Sequence, residues 1–129
     1  MSAGYSGKPL VEKLGYQPGV SVVLANAPDW FKDHLDNLAI TPAVKGPADW
    51  GHVFCENQAD LDSFLAQNDL ESVSKGWWFS WPKKSSGSAT DLTEQSFRDA
   101  ILPLGWVDVK VAAIDDTWSG LKFLRRKAS

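Results

Sequence analysis

Apolar positions along the chain fall into two periods. Val20-Ser21-Val22-Val23-Leu24-Ala25, Trp50-Gly51-His52-Val53-Phe54-Cys55 and Gly76-Trp77-Trp78-Phe79-Ser80-Trp81 are short, nearly continuous apolar runs. That is the pattern of strands buried on both faces. Trp106–Ala113 and Trp118–Arg125 alternate apolar with polar residues instead, as half-exposed strands do. Helical spacing separates the runs. Trp30, Phe31, Leu35 and Leu38 share one side of a first pattern, Leu61, Phe64 and Leu65 of a second, and Phe97, Ala100, Ile101 and Leu104 of a third. A short helix over Lys8–Leu14 is predicted before the first strand, with Pro9 at its first position and Gly15 as its C-terminal cap.

Punctuation agrees with this division. Gln17-Pro18-Gly19 is a turn, and Ile40 to Asp49, with Pro42, Gly46 and Pro47, reads as loop. Asn57 is placed to cap the second helix. Asp91 with Glu94 three residues later is a capping-box variant for the third. Asp115-Asp116 makes the turn between the last two strands. The order α-β-α-β-α-β-α-β-β predicts an α/β domain spanning residues 1–129, with residues 1–7 as a flexible start. Its sheet is mostly parallel, covered by helices on both faces and joined by right-handed crossovers. The final strand must run antiparallel, because too few residues precede it for a crossover.

Ligands of open parallel sheets bind beyond the carboxyl ends of the strands. Strand direction alone therefore gathers Asn26-Ala27-Pro28, Glu56-Asn57, the segment Lys83 to Thr90, and Asp115-Asp116-Thr117 with Trp118 on one edge. Lys83, Lys84, Ser85 and Ser86 offer charge and hydrogen-bond donors just before a helix N-terminus, which suits an anion. An ordinary solvated loop has the same composition, and both readings stand. The spacing is not that of a phosphate-binding P-loop. Trp81 and Trp118 are candidate apolar walls, Asn26 and Glu56 candidate polar contacts, and Asp116 a candidate acid or base, with turn chemistry as its plainer role. Tyr5, Ser6 and Lys8 are placed to fold over the edge as a lid.

Composition narrows the classes. The 129 residues carry 43% hydrophobic and 22% charged side chains and a net charge of −3. No basic footprint marks a nucleic-acid or anionic-membrane surface. Arg125-Arg126-Lys127 is too short a basic run to change that. Cys55 stands alone, which excludes an internal disulfide or a cysteine zinc site. With no apolar leader, a cytoplasmic protein is expected. No metal site is expected. His34 and His52 lie in no nucleophile motif. Seven tryptophans are the compositional outlier; some are expected in the core and several flank polar loops, where exposed ones would line a pocket or anchor an interface, so a homo-oligomer is a further expectation.

The order of elements resembles the methyltransferase-type Rossmann architecture, whose closing section the strands Val107–Ala113 and Trp118–Arg125 match. That likeness implies the strand order 1-2-3-5-4 for the five strands. Two features of such cofactor domains are missing. Leu24-Ala25-Asn26-Ala27-Pro28 contains no glycine where a cofactor turn needs close backbone approach, and no room is left for the strand whose terminal acid holds a ribose. No cofactor is expected, S-adenosylmethionine included. Gly4-Tyr5-Ser6-Gly7-Lys8-Pro9-Leu10, Ser80-Trp81-Pro82-Lys83-Lys84-Ser85-Ser86-Gly87, Thr90-Asp91-Leu92-Thr93-Glu94 and Asp116-Thr117-Trp118-Ser119-Gly120-Leu121-Lys122-Phe123 resemble segments of a small bacterial family of unknown function. That resemblance implies membership and no chemistry. The expected function is a non-catalytic module binding an anionic small molecule or a protein partner at the sheet edge. A degenerate transferase-like enzyme using the same edge, with Asp116 and Lys83 in its chemistry, and an oligomerisation scaffold are the alternatives.

Overall fold

The computed structural model describes residues 14–17, 19–36, 41–43, 47–83 and 90–126. In chain order these form β1 (Ser21–Ala25), α1 (Asp29–Asp36), β2 (Thr41–Ala43), β3 (Ala48–Phe54), α2 (Gln58–Gln67), β4 (Val73–Pro82), α3 (Glu94–Ile101), β5 (Trp106–Ala113) and β6 (Trp118–Arg125). Single 3-10 turns at Leu70–Ser72 and Leu102–Leu104 lead into β4 and β5. Gly105, at φ 98°, closes the second of them. The predicted helix over Lys8–Leu14 and the lid residues Tyr5, Ser6 and Lys8 lie outside the described residues, apart from Leu14 itself.

The fold is Rossmann-like. The described strands make one sheet in the order β2-β1-β3-β4-β6-β5. β2, β1, β3 and β4 pair in parallel, and β6 runs antiparallel to both β4 and β5. The five strands expected from the apolar runs therefore stand in the order 1-2-3-5-4. β2 is a correction, because the segment holding it was expected to be loop and no room was expected for a strand there. Pro42 lacks an N–H and usually marks the end of pairing, but an outermost strand of three residues tolerates it. No acid stands at the end of β2, where the chain continues Val44-Lys45-Gly46-Pro47.

Alternation along the buried strands sorts side chains onto two faces. Val23, Val53, Trp77, Phe79, Trp81, Leu121 and Phe123 meet Leu61 and Phe64 of α2 and Phe97 and Ile101 of α3. On the other face Val22, Trp50, Phe54, Trp78 and Ala112 meet Phe31 of α1 together with Leu14 and Tyr16. Helices thus cover both faces. No described helix is long and apolar enough to cross a membrane.

Tryptophan is the bulkiest of these side chains, and the sheet accommodates it with glycine. Gly51 lies beside Trp77 in the β3–β4 register, and a Cβ there would collide with the Trp77 ring. A Cβ at Gly76 would approach Trp50 to 2.9 Å and the Phe123 carbonyl to 2.6 Å, and one at Gly120 would approach Trp78 to 3.1 Å. Indole N–H groups find backbone acceptors: Trp77 Nε1 donates to Leu70 O and Trp78 Nε1 to Leu14 O, both at 2.9 Å. At the far end, Arg98 Nε of α3 donates to Asp108 of β5 at 2.8 Å. The β5–β6 register slips between Asp108 and Lys110, a β-bulge at Val109. Because the Trp77 ring is fully buried, it cannot move aside for a new methyl group. Gly51→Ala is expected to cost about 1–3 kcal/mol, read as a lower urea midpoint with an unchanged m-value.

Candidate functional site

Strand direction sets the geometry of the carboxyl edge. β1, β3 and β4 end there, and the β5–β6 turn meets them because Pro82 pairs with Trp118. The short strand β2 adds something the five-strand order lacks. From β1 the chain leaves by α1 on one face to reach β2 on the outer side. From β3 it leaves by α2 on the opposite face to reach β4 on the inner side. The point between β1 and β3 is therefore a topological switch, the position at which open α/β sheets characteristically bind ligands.

Asn26 and Glu56 stand at that switch. Asn26 has φ 59°, the one described non-glycine residue in the left-handed region, which asparagine tolerates better than most. The turn obtains this conformation without the glycine that is missing from the sequence. Its Nδ2 donates to Phe54 O at 3.4 Å, reaching from the end of β1 to the end of β3. Glu56 is exposed, and its backbone N–H donates to Asp60 Oδ2 at 2.9 Å.

Lys83 stands at the end of β4, and its N–H donates to Thr117 O at 2.7 Å, tying the strand to the β5–β6 turn. In that turn Asp115 does the structural work, its Oδ1 accepting from the N–H groups of Thr117 and Trp118 at 2.9 and 2.7 Å. Asp116 beside it is exposed. Lys84, Ser85 and Ser86 lie outside the described residues. On the far side of that segment, Leu92 N–H donates to Thr90 Oγ1 at 3.2 Å, and the Asp91 carboxylate accepts from Gln58 N–H of α2 at 2.8 Å.

Asp91 is thus not the cap of its own helix. The capping box of α3 is formed by Thr93, with Thr93 N–H donating to Ser96 Oγ at 3.1 Å, while Glu94 pairs with Arg98. The first turn of α2 is equally well supplied, since Asn57 Oδ1 accepts from Asp60 N–H at 2.9 Å. The Gln58 and Asp60 N–H groups at the start of α2 are therefore both bonded within the protein.

The two tryptophans proposed as walls are not brought together. Trp81 is buried against Phe97 of α3, ring centroids 5.0 Å apart. Trp118 meets Phe54 edge-on at 5.1 Å on the opposite face. Asn26, Glu56, Lys83, Asp116 and Trp118 share the edge, whereas Trp81 belongs to the core.

A second polar arrangement went unnoticed in the sequence. His52 Nε2 and Ser80 Oγ are 2.7 Å apart, and Tyr16 OH lies 3.0 Å from His52 Nδ1. The connectivity is that of a hydroxyl, a base and an orienting group. All three are buried, His52 and Ser80 completely, with His52 stacked on Phe54 at 4.5 Å and crossed by Phe31 at 4.6 Å. Desolvation brings the His52 pKa down to about 3 and raises that of Tyr16 well above its ordinary value. Burial, aided by the charge of Asp60, pushes the Cys55 thiol up to about 12. The imidazole is neutral, a fully buried and hydrogen-bonded core group among the described residues. Strand register was the signal for it: once His52 lies beside Trp78, Ser80 on the same face follows.

Comparison with known families is decisive on one point. A model of a domain of unknown function matches residues 53–129, more than half of the chain. The chain belongs to this family, DUF8412. The DUF8412 match begins within β3, so it includes the segment from Lys83 to Thr90 and the Asp115 turn, while Asn26 precedes it. No curated protein matches the sequence. Among solved structures, a ribosomal protein L11 methylase from Lactobacillus delbrueckii subsp. bulgaricus superposes with a TM-score of 0.52 at 13% identity, covering 92% of this chain and 76% of that one. A protein of the NADB-Rossmann superfamily from Streptococcus agalactiae gives 0.54 at 10% identity, covering 100% and 72%. An uncharacterised protein from Listeria monocytogenes serotype 4b gives 0.56 at 8% identity, covering 97% and 70%. At these identities the likeness is one of fold.

The buried imidazole has a measurable consequence. Its folded pKa of about 3 lies below the ordinary 6.5. Below pH 6.5 the unfolded chain therefore binds a proton that the folded chain refuses, and stability falls with pH until the folded imidazole itself titrates. Between pH 7 and 4.5 the loss from this group is expected to be about 2–3 kcal/mol. Urea unfolding across that range measures it. His52→Gln should flatten the slope, and an unchanged slope in that variant would refute the assignment.

Proposed function

We propose that this DUF8412 chain is a non-catalytic binding module that holds an anionic small molecule at the carboxyl edge of its sheet, on the segment between Lys83 and Thr90. The observation that carries this reading is the anchoring of that segment at both ends. Lys83 N–H is bonded to Thr117 O at one end, and the Asp91 carboxylate to Gln58 N–H at the other. A segment held at both ends loses less conformational freedom when it closes on a ligand than a free one does. Its sequence supplies two ammonium groups, from Lys83 and Lys84, and the hydroxyls of Ser85 and Ser86. Charge-assisted hydrogen bonds from such groups favour phosphate or carboxylate.

Support for a binding role over a catalytic one comes from the described reactive groups. His52 and Cys55 sit in the core, and the Asp60, Asp91 and Asp115 carboxylates each hold a backbone amide. What they do at the edge is set its shape.

Inorganic phosphate is the direct probe, titrated calorimetrically against the full chain at low salt. Saturable binding is expected, and Lys83→Ala combined with Lys84→Ala should weaken it by at least about tenfold, roughly 1.4 kcal/mol. Binding that survives the double substitution overturns the proposal, as does the absence of any phosphate or carboxylate binding by the parent chain.

A further inference from the structure

Beside the end of β1, on the α2 side of the sheet, lies a cavity of about 290 Å³ whose hydrogen-bonding chemistry is one-sided. Asn26 and Asn68 line it, and both direct their amide nitrogens into the protein. Asn26 Nδ2 donates to Phe54 O at 3.4 Å and Asn68 Nδ2 to Phe64 O at 3.0 Å. A backbone carbonyl only accepts, so these bonds fix which end of each amide is nitrogen. Gln67 Nε2 donates to Ser63 Oγ at 3.2 Å, which turns its amide oxygen away from that hydroxyl. The three amide oxygens accept no hydrogen bond from any described residue. Asp60 adds a carboxylate, of which only Oδ2 is bonded, by Glu56 N–H. Its charge is felt as deep as Cys55, where it adds to burial in raising the thiol pKa. Phe64 and Ala25 are its apolar members, and among the described lining residues there is no lysine, arginine or histidine.

Such a lining is mismatched to an anion, which would meet Asp60, and offers little to a neutral acceptor. Divalent cations prefer several hard oxygens with more than one carboxylate, and among the described residues no group of three acidic, histidine or cysteine side chains converges on a metal position. The remaining match is a cationic donor with an apolar body. We propose that this cavity binds a small protonated amine, its N–H groups donating to the Asp60 carboxylate and the amide oxygens of Asn26 and Gln67, and its carbon chain lying against Phe64. Neither Lys83 nor Thr90 is among the described lining residues, and the cavity selects the opposite charge. Neither proposal depends on the other.

The test compares three probes of one carbon skeleton, n-butylammonium, butyrate and 1-butanol, added to the full isotopically labelled chain and followed by ¹H–¹⁵N spectra. n-Butylammonium should give saturable shifts at Asn26, Ser63 and Gln67 within about 20 mM, a weak affinity suited to so small a ligand. Asp60→Asn keeps an oxygen for Glu56 N–H but removes the charge, and should weaken binding about tenfold. Equal responses to butyrate or 1-butanol overturn the proposal, as do absent shifts or an Asp60→Asn chain that binds like the parent. If Asp60→Asn fails to fold, Ser63→Leu at an exposed position of α2 fills the cavity instead. Shifts that persist in Ser63→Leu likewise overturn it.

Discussion

Three tryptophan rings share the sheet with three glycines, and the central seam of the fold depends on that steric bargain. Trp77 lies where a Cβ on Gly51 would be, Trp50 crowds Gly76, and Trp78 crowds Gly120. Each ring removes a large apolar surface from water, and each glycine gives up backbone rigidity to let it lie close. Because Trp77 and Trp78 are consecutive, they project to opposite faces of β4 and are the largest fully buried side chains there. One strand therefore supplies ballast to both layers. α2 and α3 pack over one, and α1 with the Leu14–Tyr16 segment over the other.

This packing decides where chemistry can occur. The Tyr16, His52 and Ser80 groups are enclosed on the α1 face among Phe31, Phe54 and Trp78. Their hydrogen bonds satisfy one another, as buried polar groups must. The network joins β3 to β4 and holds Tyr16 on the sheet, so its role is to specify an arrangement of elements. At the rim, by contrast, Asn26, Glu56 and Asp116 are exposed. The acidic residues at that rim illustrate the same economy. Asp60, Asp91 and Asp115 all direct carboxylate oxygens to loop and helix amides, which fixes the shape of the edge.

The fold was largely legible because its signals are local. Apolar runs such as Val20–Ala25 and Trp50–Cys55 announce buried strands without reference to the rest of the chain, and the short link between β5 and β6 permits only an antiparallel return. β2 was hidden by its brevity and by Pro42, and with it went the switch point between β1 and β3. The edge was legible as a set of segments, since strand direction alone collects them. Its internal geometry was not. Whether Trp81 and Trp118 share a face depends on the β4–β6 register, and Asp91 bonds to Gln58, 33 residues away, where it was read as the cap of the helix that follows it. Such contacts are set by tertiary packing, which no spacing rule in a single sequence encodes.

The bulge in β5 has a consequence for how the molecule meets its neighbours. β5 is the outer strand at one end of the sheet, and Val109 and Val111 on it are about half exposed. A flat strand of that composition is a template on which further chains can add. Here the ladder slips at Val109, and charged Asp108 and Lys110 flank the slip. The kink interrupts the regular alternation of donors and acceptors that an added strand would have to match. The irregularity makes this edge a poorer template for an added strand than a straight ladder of the same composition would be.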